Sequence, residues 1–463
     1  MSKGATASGF ERALDAYARA FQRWLPSPFS IAVLLTLLAG VLALQFSRPL
    51  EVMDSWVTGL WNPALLRFGF QAMFMLVLGH VLALAPPVLA WLRRAVDWIV
   101  LQPQSAPAKV AMLSMMLGWV NWGLGLIGGA ILVRGVLDQS RGRVHHGLLG
   151  AAGYTGLLVW HGGLSGSAPL KVAEEGHLAS LVPDASWAQS LPDTISLRET
   201  ALSSWSLALT VMVFVAVASM FWLLGRRLNP EAISAPSEAP RSPSPKDESM
   251  GGWAEQLDVR PWLPWLLGLG CLFGAGLWAA ESGPLSELTF VTPDWINLVL
   301  LGLAMLAHGQ VKGMLAALDE AISGASGILV QFPLYFGIMG MVTGTGLGTW
   351  MAEGLVDAAS ATMLPLALFL SSGILNVFVP SGGGQWAVQG PLVLEACHAL
   401  GVPLERGIMA MAFGDELTNM LQPFWALPLL GITGLSARDI LPYTLLIMFV
   451  AGGIMTVAIL CWV

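Results

Sequence analysis

The chain of 463 residues is 55% hydrophobic and only 11% charged, with a mean hydropathy of +0.69 and 20 tryptophans. That composition lies far from the soluble average and is that of an all-α polytopic membrane protein. Its formal charge of −7 comes with acids in loops and without any basic run, which argues against a nucleic-acid partner, and Cys271, Cys397 and Cys461 form no CxxC pair, so no disulfide framework, metal site or cofactor is expected.

In chain order, residues 1-26 are polar to amphipathic, carry Lys3, Arg12, Arg19 and Arg23, and show no cleavable leader, so the first apolar run is read as a span. A helix needs about 20 apolar residues to cross the hydrocarbon core. Spans are predicted at 27-46, 68-84, 147-170, 201-224, 262-280, 294-308, 326-343, 407-434 and 441-461. The stretches 110-133 and 363-395 differ. The second would make a helix of about 50 Å and contains Pro380 followed by Gly382, Gly383 and Gly384. If both are re-entrant hairpins, only Arg48, Arg67, Lys171, Arg198 and Arg406 fall outside, and every other Lys and Arg is cytoplasmic, together with the N-terminus. Treating 110-133 as an ordinary span would move Arg134, Arg141 and Arg143 outside and spoil that asymmetry. The Pro- and Ser-rich stretch "APSEAPRSPSPKDES" cannot bury enough apolar surface to fold. It marks a cytoplasmic linker, 225-261, that separates a first unit (27-224) from an extra helix (262-280) and a second unit (294-461).

The two units resemble each other. "LGWVNWGLGLIGGAILV" and "LNVFVPSGGGQWAVQGPLV" both run from Asn (Asn121, Asn376) through small residues into a resumed apolar helix. Each is followed by an apolar segment with a polar interruption, "YTGLLVWHGGLSGSAPL" and "FGDELTNMLQPFWALPL". With hairpins opening from opposite sides, these are inverted repeats with broken helices in matching places, the pattern of a secondary transporter with a midplane site.

Non-helical backbone at membrane depth is tolerated where it is buried in protein or lines a wet cavity. The helix resuming near Gln385 points free N–H groups and a positive dipole end into the site, which suits a carboxylate. The expected substrate-binding set is Asn121, Gly123, Gly125, Ser165, Ser167, Asn376, Ser381, Gly382, Gly383, Gly384 and Gln385. Two of these assignments compete with structural roles: Gly123 and Gly125 with close helix packing, Ser165 and Ser167 with bonds to their own helix. No Lys or Arg falls mid-span, so dipoles and hydroxyls would hold the anion, which favours a small monocarboxylate over a dicarboxylate. Asp415 and Glu416 lie within an apolar span, where carboxylates are costly and usually functional. Asp415, with Thr418 and Asn419, is the expected site of a coupling cation, Na+ or H+. His161 is read as a packed hydrogen-bonder. An enzyme is not indicated, with no HExxH or GxSxG context; an anion channel would need a continuous polar stripe rather than two short matched sites.

The motifs "NWGLGLIGGA", "HGGLSGSAPL", "ILVQFPLY", "VPSGGGQWAVQGP" and "QPFWALP", in this order, resemble the bacterial short-chain fatty acid transporter family, part of a larger ion transporter superfamily. The resemblance implies uptake of acids such as acetoacetate or butyrate across the inner membrane. It also implies a homodimer of scaffold domains, with a transport domain moving as an elevator through the lipid. The superfamily's Ser-Asn-Thr hairpin signatures for sodium and carboxylate are replaced here by "NWG" and "PSGGG".

Overall fold

The computed structural model describes residues 28–140, 142–182, 185–228, 258–282, 290, 292–348, 350, 359–379 and 382–462. The N-terminal segment 1-26, most of the linker, and Pro380 and Ser381 lie outside the described residues. Every regular element among those described is helical.

Six helices pack as one group: α1 (Pro28–Ala43), α2 (Pro49–Leu60), α3 (Pro63–Ala83), α11 (Trp262–Glu281), α12 (Pro293–His308) and α13 (Val311–Gly344). The amphipathic α2 was not among the predicted spans, because its alternating polar residues break the apolar run. Gly59 and Gly340 let α2 cross α13 with backbones in contact; a methyl group on Gly59 would sit 2.7 Å from Gly340 Cα. Helices α3 and α12 run parallel, since Arg67 bonds Asp294, Asn297 bonds the Gln71 carbonyl and His308 meets the Val81 carbonyl, at a nearly constant offset along both chains.

The second group begins after the amphipathic α4 (Pro86–Val100), another helix without a span-like run. It holds α5 (Ala106–Val120), α6 (Trp122–Ser140), α7 (His146–Tyr154), the short α8 (Ser167–Val172) and α9 (His177–Leu181), and α10 (Ser204–Arg227). From the second half come α14 (Leu364–Phe378), α15 (Gly382–Leu400), α16 (Leu404–Thr418), α17 (Pro423–Thr433) and α18 (Ala437–Leu460). Helix α10 runs through Arg227. The same order of elements recurs in both halves: two helices joined at a break, a helix interrupted by non-helical residues, then a long apolar helix.

Helices α5 and α6 form an antiparallel pair. The Cβ of a residue at 125 would strike Gly118 Cα, and one at 128 would lie 2.6 Å from Leu117 Cδ1. Helices α14 and α15 are antiparallel as well, joined by Gln385 to Ser372 and Gln389 to Ser371. Four helices are long and apolar enough to cross a membrane among the described residues, within α3, α10, α11 and α18. Val211, Phe273 and Phe449 on such helices are more than half exposed, which water would penalise and lipid does not.

Candidate functional site

Both helix breaks meet one loop, 159–166, the interruption between α7 and α8. On one side it caps the first pair: the Ser165 hydroxyl accepts from Trp122 N–H at 3.0 Å, and Leu164 N–H donates to the Trp119 carbonyl at 2.8 Å. Ser165 thus bonds across the fold and not to its own helix. Asn121, extended at φ −156, caps α6 itself by accepting from Leu124 N–H at 3.1 Å. Gly123 sits beside Asn121 and Met75, while Gly125 is filled by the backbone of Gly118. Its place in the seam is a packing role, so of these two glycines only Gly123 stays at the tip.

On its other side the loop holds the acidic span. Glu416 Oε2 accepts from the His161 and Gly162 amides at 2.8 and 3.0 Å. His161 Nδ1 lies 2.7 Å from Asp415 Oδ2, and Ala168 N–H points at His161 Nε2 at 3.0 Å. An amide can only donate, so Nε2 presents its lone pair and the ring proton sits on Nδ1, donating to Asp415. All three side chains are at most 1% exposed, and among the described residues neither carboxyl pairs with Lys or Arg. The reading of His161 as a hydrogen-bonder agrees with this geometry, yet the ring stands at the centre of the site, stacked on Trp160.

The second break closes over the same spot. Gly382 abuts His161 and Trp160: a methyl group there would come within 2.9 Å of His161 Cε1. At Gly383 the added carbon would stand 3.8 Å from Ser167 Oγ, an ordinary contact. Gln385 is fully buried and donates to Ser372 Oγ and its carbonyl. Asn376 Nδ2, with two protons to donate, lies within hydrogen-bond reach of the Asp415 carbonyl, Thr418 Oγ1 and Asn419 Oδ1 at 2.7, 2.9 and 3.0 Å. Asn121, Ser165, Ser167, Asn376, Gly382, Gly383, Gln385, Asp415, Thr418 and Asn419 are therefore linked through one loop and its neighbours; Gly384 follows Gly383 in the first turn of α15, and Ser381 lies outside the described residues.

Several members of this hub were not singled out in the sequence. Tyr154 sends its hydroxyl to the carbonyls of Asn419 and Gln422, at 2.9 and 2.8 Å, across the two halves of the chain. Gln422 donates to the Asn376 carbonyl, and Ser371, Ser372 and Gln389 complete the polar seam between α14 and α15. Their signals were faint: a tyrosine among only 4 in the chain, and a Ser-Ser pair inside "LFLSSGILN".

Among the described residues, four buried oxygens in this hub have no hydrogen-bond partner: Asn376 Oδ1, Gln385 Oε1, Asp415 Oδ1 and Gln422 Oε1. All are acceptors of the hard, oxygen type.

A family model described as "Short chain fatty acid transporter" matches residues 10–462. The chain belongs to that family. The transporter is 34% identical over 460 residues to a "Putative short-chain fatty acid transporter" of Escherichia coli K12, covering 95% of this chain and 97% of the relative. It is 32% identical over 430 residues to a protein of the same name from Haemophilus influenzae, covering 91% and 93%. Among solved structures, the transporter is similar to the YdaH transporter of Alcanivorax borkumensis (16% identity, TM-score 0.46, 94% of this chain and 98% of the other). A second is the antimetabolite efflux pump MtrF of Neisseria gonorrhoeae (14%, 0.47, 98% and 97%).

Proposed function

We propose that the transporter imports a short-chain monocarboxylate such as acetoacetate or butyrate across the inner membrane, coupled to a cation held by Asp415. The observation that carries this reading is the set of unpartnered buried oxygens around Asp415. Two neighbouring buried carboxyls without a basic partner each cost several kcal/mol as bare anions, and amide oxygens left bare add to that cost. A cation that lies against Asp415 Oδ1 with Asn376 Oδ1 nearby, or a proton on Asp415, removes both deficits. Thr418 and Asn419, tied to Asn376, orient its amide and so hold that oxygen in place. The donor chemistry, carboxylate, amide and hydroxyl oxygen, suits a hard ion such as Na+.

The substrate carboxylate is placed opposite, at the start of α15 near Gly383 and Gly384, with the Ser167 hydroxyl across the gap and the Asn121 tip beyond the loop. A coupling cation is required energetically: moving an anion inward against the membrane potential costs about 2.3 kcal/mol per 100 mV. The wider reading is a homodimer with α1–α3 and α11–α13 as scaffold and the second group as the moving elevator domain, the N-terminus facing the cytoplasm.

Asp415→Asn tests the coupling. In proteoliposomes the variant is expected to keep counterflow of labelled butyrate while losing accumulation driven by a Na+ or H+ gradient. Accumulation as steep as in the parent protein would assign coupling elsewhere, with Glu416 and His161 next. Omitting Na+ at fixed pH, then collapsing the pH gradient at fixed Na+, separates the two ions.

A further inference from the structure

The bare acceptors of the hub have a counterpart on the donor side. Trp160, in the loop 159–166, is 7% exposed, and its indole N–H meets no acceptor among the described residues, although Asn376 Oδ1, Gln385 Oε1, Asp415 Oδ1 and Gln422 Oε1 are bare in the same hub. A buried indole nitrogen usually finds a partner, because burial strips its water and leaves the lost bond uncompensated. A donor that stands among bare acceptors and pairs with none of them is fitted to an acceptor that the chain does not supply.

The ring is held with that N–H on the side of the second break. A methyl group on Gly382 would stand 2.7 Å from Trp160 Cη2 and 3.2 Å from Cζ2, so this edge of the indole faces the start of α15. Nε1 is attached to the ring atom next to Cζ2 and shares the edge. On its face the indole stacks on His161, with ring centres 4.5 Å apart and planes inclined by 21°. His161 is in turn engaged at both nitrogens, by Asp415 and by Ala168 N–H. A ring that backs onto an anchored ring keeps its orientation, and any side chain larger than that of Gly382 would push it aside.

Three kinds of donor meet at this point: the Trp160 N–H, the Ser167 hydroxyl across from Gly383, and the first amides of α15, which a helix leaves without partners of its own. None of them carries a formal charge. We propose that Trp160 is a substrate-binding residue, its indole N–H donating to one oxygen of the substrate carboxylate at the start of α15. On the monocarboxylate reading above, on which this role rests, Trp160 is the side chain that meets the charged end of the substrate. An indole donates once. It therefore serves one carboxylate oxygen and leaves the other to the helix amides and Ser167. Every short-chain acid carries the same carboxylate, so this contact recognises the class of substrate and not the length of its chain.

The test uses the full chain in detergent with its indole nitrogens isotopically labelled for magnetic resonance. Butyrate is expected to move one indole proton resonance downfield, the one missing from Trp160→Phe, while neutral butyramide leaves it in place. In proteoliposomes Trp160→Phe is expected to raise the half-saturating concentration for counterflow about tenfold, by the same factor for acetate, butyrate and hexanoate, with the maximal rate near that of the parent. Trp56→Phe removes the indole packed on Gly337 in the other group of helices and should leave half-saturation unchanged. If the parent exchanges butyrate but the Trp160 resonance stays still, or half-saturation in Trp160→Phe is unchanged, the role of Trp160 falls and the transport reading stands. A loss that grows with chain length also overturns it, since the ring would then pack on the acyl chain. A parent that exchanges none of the three acids removes the transport reading and this role together. Should the phenylalanine variant aggregate on gel filtration, Trp160→Tyr identifies the resonance, and its response in the parent protein gives the answer.

Discussion

At the scale of single residues, the site is governed by which hydrogen-bond donors are already committed. Ala168 N–H points at His161 Nε2 and Asp415 lies at Nδ1, so both ring nitrogens are committed in this conformation. Tyr154, like His161 and Gly162, joins the interrupted segments of the two halves, and its hydroxyl serves two backbone carbonyls in a place with no water-exposed surface. Tyr154→Phe keeps the ring and deletes only the hydroxyl. It is expected to cost about 1–3 kcal/mol, seen as a lowered thermal midpoint in detergent, with uptake reduced; an unchanged midpoint would mean that those carbonyls have other partners. The sequence singled out Asp415, Asn376 and Asn419 because polar groups in apolar spans are conspicuous. Tyr154 and Gln422 were not legible, since one tyrosine or glutamine at a helix end has many unremarkable explanations and its partner lies more than two hundred residues away.

At the scale of elements, the two helical pairs are closed by different means. The α5–α6 seam is backbone on backbone: Gly118 packs against Gly156, Gly125 against Gly118, and Gly129 against Gly153, which brings α7 into the same contact. The α14–α15 seam is polar, made by Gln385, Gln389, Ser371 and Ser372. Gly125→Val would push the first seam apart and is expected to cost about 1–3 kcal/mol by overpacking, read as loss of thermal stability. Gly276→Ala, with no atom within 4 Å of the new carbon, serves as the silent control. At the second tip the prediction is graded. Gly383→Ala fits the open space beside Ser167 and should keep most uptake, whereas Gly383→Leu fills it and should abolish uptake while the protein still purifies folded. Full uptake by the leucine variant would remove the carboxylate from this position. Breaks at Asn121 and Gly382 were legible because glycine and proline cannot continue an apolar helix unnoticed. Helices α2 and α4 were not, because amphipathic segments at a membrane protein's surface lack the apolar run by which spans are found.

At the scale of the whole molecule, orientation is the property to be tested. The parallel run of α3 and α12 agrees with the basic-residue count, which sends both from outside to inside. In a Cys461→Ser background, single cysteines at Gln104 and Gln139, the two ends of the first pair, are expected to react with an impermeant maleimide only from the cytoplasmic face. Cysteines at Met363 and Leu400 should react only from the outer face. If Gln104 and Gln139 reacted from opposite faces, the opposed arrangement of the two halves would be lost. Charge asymmetry and repeated motifs are what suggest this layout, whereas the packing of the helices into two groups was not legible, since it depends on which glycines meet across the fold.

The loop 159–166 has a mechanical consequence. Through Ser165 it is fastened to the first tip, and through His161, Gly162 and their carboxyl partners it is fastened to the acidic span, which Asn376 ties to the helix leading into the second. A motion that parted the two tips would have to tear buried polar contacts on one side of this clasp, with no solvent at hand to replace them. In the elevator reading proposed above, the cargo compartment then travels as a single rigid piece, with release governed by what it uncovers on arrival and not by its own opening.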